Sequence, residues 1–440
     1  MKPQFLISSI GPGNGKTIFA MGLIHALRKR GMKVQPYKCG PEITDTQLLT
    51  LSADNEAVNL DEWITTYTHI QHTYNKYGEK ADACIIEGNG ALFDGYKRMQ
   101  GSSAEIAKLL NVPVVLLVNA RMAGYSIASI IYGFKYFHPQ VKIVGVVFNQ
   151  ITSSAHYSYL KEACFDAGVD CLGYLPYNAE FKLPSKHSSI TLTTKRTMDT
   201  QINLIADDIE KNININRLLM NCNRNFPCQY TLPYSSDIEA ETVIPTSQQI
   251  KIAIARDPAF NFIYKENIAR LSIYGKISYF SPVYGSDLPE ADLIYLPGGY
   301  PELFARQLHR RHKLKNALKE YAEKGGKILA ECGGMAFLGR SITAKEGGTS
   351  YEMCNILPLD FTINSKLNSG YRKMIYNGVE LRGYEFHYSA TNNAENSLIA
   401  TQATNIKGTN VDLPLYRYKN IIASYGHWYW GDKDILDLWK

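Results

Sequence analysis

The sequence predicts an α/β protein of two domains, the first a parallel sheet with a phosphate loop after its opening strand. Short apolar runs alternate with amphipathic stretches through the first half, the form taken by βαβ units. The pattern weakens from Asn178 to Gln249, in chain rich in Asn, Pro, Ser and Thr, and resumes at Lys251. The length, 440 residues, exceeds the roughly 250–300 at which single cores stop growing. These observations divide the chain into a domain at residues 1–222, a connecting segment at 223–249 and a second domain at 250–440.

The elements follow in order. Apolar runs bounded by turn residues read as buried strands at Gln4–Ser8, Lys33–Tyr37, Ala83–Ile86, Val112–Val118 and Ile143–Phe148. Between them, helical periodicity covers Ile18–Arg30, Ser103–Leu110, Ser126–Phe137 and Ala155–Ala167. Gly31 follows the basic turn Arg28-Lys29-Arg30 as a helix-terminating glycine. A polar amphipathic stretch at Met198–Leu219 closes the first domain. The second set of strands is Lys251–Ala255, Lys276–Phe280, Leu293–Leu296 and Lys327–Ala330.

Composition excludes several classes. With 45% hydrophobic and 20% charged residues the chain is neither disordered nor fibrous. The net charge of +6, from 47 basic against 41 acidic residues, is spread too evenly for a nucleic-acid surface. The apolar run Val112–Val118 falls short of the roughly 20 residues of a membrane span. The N-terminus lacks a signal-peptide pattern, so a cytoplasmic location is expected. Eight cysteines without a CxxC pair read as reduced thiols.

Gly11-Pro12-Gly13-Asn14-Gly15-Lys16-Thr17 joins the first strand to the first helix. Glycines there let backbone N–H groups turn toward phosphate oxygens, lysine reaches the β and γ phosphates, and the threonine hydroxyl can ligate Mg2+. Ile10 occupies the first glycine position of the usual pattern. A turn that only connected strand to helix would have no reason to start the helix with Lys-Thr. Ligands of open α/β sheets lie beyond the carboxyl ends of strands, where Glu87 follows Cys84-Ile85-Ile86 and Asp45 follows Lys38-Cys39-Gly40-Pro41. Asp94, in the Gly-rich turn after Glu87, reads by itself as a turn-forming aspartate.

In Lys327-Ile328-Leu329-Ala330-Glu331-Cys332-Gly333-Gly334, a strand runs into a cysteine and two glycines that open a helix. Small neighbours tolerate a sharp turn there, and the N–H groups that follow can donate to an oxyanion. A helix N-terminus would also depress the thiol pKa. The cysteine needs a base, and spacing alone does not choose between His427, after Ala423-Ser424-Tyr425-Gly426, and His387, in Gly383-Tyr384-Glu385-Phe386-His387, either of which could instead be a satisfied core histidine.

With these motifs in place, the chain resembles the cobyrinic/cobyric acid synthase amidotransferases over nearly its whole length. The likeness rests on the phosphate loop, Lys38 to Asp45, Ile86-Glu87-Gly88, Leu92-Phe93-Asp94-Gly95, Leu296-Pro297-Gly298-Gly299-Tyr300-Pro301-Glu302, Ala330 to Gly334, Gly383 to Ser389 and Ala423-Ser424-Tyr425. It implies a dethiobiotin-synthetase-like ATP domain joined to a class I (triad-type) glutamine amidotransferase domain. It further implies that Cys332 attacks glutamine, that His427 is the base, and that backbone at Gly298, Gly299 and Gly333 holds the oxyanion. Gly11, Gly13, Asn14, Gly15, Lys16 and Thr17 would hold ATP; Thr17, Asp45 and Glu87 would hold Mg2+; Asp94 would lie near an acyl phosphate. The implied partners are glutamine and cobyrinic acid, whose a and c acetates would be amidated, with hydrogenobyrinic acid or nickel sirohydrochlorin as related tetrapyrrole substrates and a homodimer left open. Tyr429 stands where many triad enzymes carry an acid, so the resemblance implies a Cys-His dyad. The reading of another class is a nucleotide-binding regulatory or glutaminase-only protein.

Overall fold

A computed structural model describes residues 1–181, 192–229, 249–285, 287–344, 347–392 and 398–440. They form two compact units, the described residues up to 229 and those from 249 onward.

The first unit is built on a sheet of β1 (Lys2–Ser9), β2 (Val34–Cys39), β3 (Val58–Leu60), β4 (Ala83–Glu87), β5 (Val114–Asn119), β6 (Ile143–Ile151) and β7 (Cys171–Pro176). The order is β3-β2-β4-β1-β5-β6-β7, with every neighbour in this series parallel. Burial on both faces accounts for the unbroken apolar runs of the central strands. β3 is too short to show a period, and β7 alternates too weakly to stand out in the sequence. The stretch Met198–Leu219 is two helices, Leu192–Asn212 and Ile215–Asn221, parted where the Asn214 side chain accepts the Arg217 N–H.

The start of the connecting segment differs from its polar appearance. β8 (Asn223–Arg224) pairs antiparallel with Lys2 and Pro3, and Phe226 and Cys228 pack into the first unit's core. Residues 230–248 of that segment lie outside the described residues.

In the second unit the strands are β9 (Ile250–Ala255), β10 (Gly275–Phe280), β11 (Leu293–Leu296), β12 (Lys327–Glu331), β13 (Ser341–Thr343), β14 (Ser350–Glu352), β15 (Asp360–Tyr376), β16 (Val379–Asn392), β17 (Ile399–Asn405), β18 (Asn410–Tyr418), β19 (Ile421–Ser424) and β20 (Gly426–Tyr429). β10-β9-β11-β12-β19 is parallel; β18 then turns the sheet antiparallel toward β17 and β15, and β16 pairs with both β15 and β20. The sequence reading ends at β12, because β15 and β16 are half-exposed ribbons in which polar residues outnumber the apolar ones. Among the described residues no helix is long and apolar enough to cross a membrane. All eight cysteines are free, and seven of them are buried.

Candidate active sites

In the first unit the loop after β1 opens the Lys16–Lys29 helix through Gly15, whose φ of 89° favours glycine. A side chain there would also meet Asn149 Nδ2 at 2.3 Å. Asn149 Nδ2 donates to the Asn14 carbonyl at 2.8 Å, and the Asn119 N–H donates to Asn14 Oδ1 at 3.3 Å. The ends of β5 and β6 therefore hold the loop from beneath, while Asn14 Nδ2 bonds the Gly11 carbonyl at 2.5 Å. Lys16 folds back, its ammonium donating to Ser9 Oγ at 3.0 Å and the Gly90 carbonyl at 2.6 Å. Burial, then the charge of Lys38, lowers its pKa.

Thr17 Oγ1 donates to Glu87 Oε1 at 2.7 Å. The buried Lys38 ammonium lies 3.0 Å from Glu87 Oε1 and 2.9 Å from Asp45 Oδ2. Burial alone would pull this lysine down, but Glu87, Asp45 and Glu42 outweigh it and hold its pKa well above the usual range. Burial pushes the Glu87 carboxyl up against the pull of Lys38. The proton belongs on Lys38, the arrangement that pairs both buried charges. Thr17, Asp45 and Glu87, read separately in the sequence, thus meet around a lysine whose role sequence reasoning missed. The available signal was a lysine inside the apolar strand β2, at the register of Glu87. Glu87 Oε2 is buried without a hydrogen-bond partner among the described residues, and the Thr17 hydroxyl lies against the same carboxylate. Two carboxylates and a hydroxyl beside a phosphate loop suit Mg2+, which takes part of its shell from nucleotide phosphates and water. Asp94 lies exposed in the loop after β4, its N–H on the Ala91 carbonyl.

In the second unit Cys332 sits at φ 42° and ψ −104° between β12 and the helix Gly333–Leu338. Such backbone costs about 1–3 kcal/mol and is held here by the Cys332 N–H donating to the Ser424 carbonyl at 2.7 Å. The depressed thiol expected from the helix start is corrected. Burial, with the charges of Glu302, Glu331 and Glu385, drives the Cys332 pKa far up, and the Gly333 N–H only partly opposes it. The helix is six residues long, and its terminus does not offset the loss of water around the thiol.

Cys332 lines a narrow open cleft with Gly299, Gly333, Glu302, Phe386 and His387. Its thiol faces the Phe386 carbonyl at 3.9 Å. Gly333 packs close to Gly299, where any side chain at 333 would meet the Gly299 carbonyl at 2.8 Å. Gly298 lies against His427: a Cβ there would come 2.1 Å from its Cε1. Neither buried ring nitrogen of His427 makes a hydrogen bond of good geometry among the described residues, although the Phe386 backbone lies close enough to favour the protonated ring slightly. Burial, then the charge of His387, lowers its pKa to about 4. His387 is arranged differently. Nδ1 faces the Ser389 carbonyl at 2.7 Å, Nε2 faces Glu385 Oε1 at 2.8 Å, and the ring stacks on Tyr425 at 3.7 Å. Arg372 clamps Glu385 at 2.6 Å, and the Glu385 carboxyl stays below its usual range because the His387 hydrogen bond and the Arg372 charge outweigh burial.

Residues 5–190 match the CobQ/CobB/MinD/ParA nucleotide binding domain family, and residues 251–435 match the CobB/CobQ-like glutamine amidotransferase domain family. A cobyrinate a,c-diamide synthase of Dehalococcoides mccartyi is 36% identical, over 98% of this chain and 95% of its own. Proteins of the same name from Listeria monocytogenes and Saccharolobus solfataricus are 34% and 30% identical, over 89% and 96% of this chain and 88% and 97% of their own. The chain belongs to the cobyrinate a,c-diamide synthase family. As a member of the cobyrinate a,c-diamide synthases it is an enzyme, a carbon–nitrogen ligase that uses glutamine as nitrogen donor. The phosphate loop falls in the matched nucleotide-binding part and the Cys332 turn in the matched amidotransferase part.

Proposed function

We propose that the enzyme converts the a and c acetate carboxylates of cobyrinic acid to amides, using ATP and either glutamine or free ammonia. The observation that carries this reading is Cys332, strained and facing a cleft that Gly299 also lines, with the adjoining Gly298 lying against His427. Both ring nitrogens of His387 are already engaged, one by the Ser389 carbonyl and the other by the Glu385 carboxylate. His427 has no such fixed partners among the described residues and lies against Gly298, which supports it as the base.

As the Cys332 sulfur attacks the glutamine amide carbon, its proton passes to His427, and backbone at Gly298, Gly299 and Gly333 faces the developing oxyanion. His427 returns the proton to the leaving nitrogen; ammonia departs, and water releases glutamate from the thioester. In the first unit, the loop Gly11–Thr17 and Lys16 would grip the triphosphate, and a substrate carboxylate oxygen attacks the γ-phosphorus as ADP leaves. Thr17, Asp45 and Glu87 would hold Mg2+, whose charge offsets that of the phosphates. Asp94 would face the acyl phosphate. Ammonia then attacks the acyl carbon, and phosphate departs. We assign this chemistry to the cytoplasm.

Mass spectrometry of cobyrinic acid after incubation with protein, Mg-ATP and glutamine tests the proposal. Two successive losses of about one mass unit are expected, one for each exchange of carboxylate for amide. Glutamine hydrolysis with cobyrinic acid unchanged would move the assignment to another tetrapyrrole such as hydrogenobyrinic acid or nickel sirohydrochlorin.

A further inference from the structure

Glu331 precedes the nucleophile and is 2% exposed. Its Oε1 accepts the N–H of Trp428, the residue after His427, at 3.0 Å, and its Oε2 accepts the Tyr295 hydroxyl of β11 at 2.8 Å. One side chain thus joins β12, whose last residue precedes Cys332, to β20, which carries His427. Tyr429, two residues past the histidine, supplies no carboxylate to do so.

We propose that Glu331 is the positioning residue of the Cys332–His427 pair, fixing the histidine strand against the cysteine turn. This deepens the glutaminase reading above and rests on it. Burial pushes the Glu331 carboxyl up to about 8, against the Trp428 N–H and the Tyr295 hydroxyl. The titratable groups against it are Tyr295 from β11 and Cys332 itself, with Glu302 and Glu385 acting on the same thiol. Ionised, Glu331 raises the Cys332 pKa and opposes the thiolate. Neutral, it keeps both bonds, because the Tyr295 hydroxyl can turn from donor to acceptor.

Glutamate release from glutamine by the full chain, followed from pH 6 to 10, tests this with Glu331→Gln and Glu331→Ala. Gln keeps the shape without the charge, so Glu331→Gln should exceed wild type about tenfold above pH 8, the effect of about one pKa unit on the thiol. Ala removes both bonds and should lose at least about 30-fold at every pH through misplacement of His427. Alkylation of Cys332 by iodoacetamide should become faster in Glu331→Gln at alkaline pH. Should Glu331→Ala fail to fold, Tyr295→Phe, which frees one carboxyl oxygen, should lower turnover severalfold. Glu331→Ala or Tyr295→Phe within twofold of wild type, or a Glu331→Gln protein with the wild-type pH profile, would overturn the proposal. Cys332→Ala is the control: glutamate release surviving in it sinks the glutaminase reading itself, whereas its loss together with normal Glu331 variants sinks this inference alone.

Discussion

The two sites treat charge in opposite ways. Around the phosphate loop the resting protein already holds Lys38 paired with Asp45 and Glu87, and Lys16 bound to Ser9 and the Gly90 carbonyl, all of them mostly buried. In the glutaminase cleft the reacting groups are a neutral thiol and a neutral imidazole, both buried. A site for a charged ligand needs fixed countercharge before the ligand arrives. A thiol–imidazole pair needs charge only at the moment of attack, and a thiolate standing ready without solvent would be costly.

The largest test of this contrast is Cys332→Ala. Glutamine-supported amidation should fall by at least about 1,000-fold, while ammonium-supported amidation persists, as read from glutamate release and tetrapyrrole mass. Parallel loss of both routes would break the division of labour.

Lys38→Met should produce the converse, leaving Glu87 and Asp45 without their shared cation. We expect about 3–5 kcal/mol of lost stability in urea denaturation and loss of both nitrogen routes, with glutamate release preserved.

Gly298→Ala sharpens the second half of the comparison. Its methyl would collide with His427, so glutamate release should fall about 100-fold while ammonium-supported synthesis is kept. A wild-type rate of glutamate release would show that His427 is not the base.

The smallest effect concerns stability against pH. His427 titrates near 4 when folded against the usual 6.5 when unfolded. Between these values the unfolded chain binds more protons, so this group's contribution is fully present above about 6.5 and is lost as pH falls toward 4. Thermal melting from pH 7 to 4 should show a shallower decline in His427→Gln than in wild type.

Much of the parallel framework was legible because buried strands carry continuous apolar runs and the loop residues Gly11–Thr17 are adjacent in sequence. β3 and β7 left too weak a period, and the ribbon β15–β16 hid because a half-exposed pair needs few apolar residues. The packed residues Phe226 and Cys228 hid in polar chain for a similar reason: their apolar partners lie far away in sequence. Glu331 gave no signal of its own, since nothing local distinguishes an acid that bridges two strands from one that faces water.

The sequence by itself determined the α/β class, the phosphate loop, the sharp turn at Cys332 and the acids at strand ends, all features written in consecutive residues. Tertiary structure alone decided that Lys38 joins Asp45 to Glu87, that His387 is held at both nitrogens while His427 makes no well-formed hydrogen bond among the described residues, and that the Cys332 thiol is raised rather than depressed. Protonation and hydrogen-bond partnership depend on the few ångströms of surroundings that distant segments supply, and desolvation there outweighs what a local motif predicts.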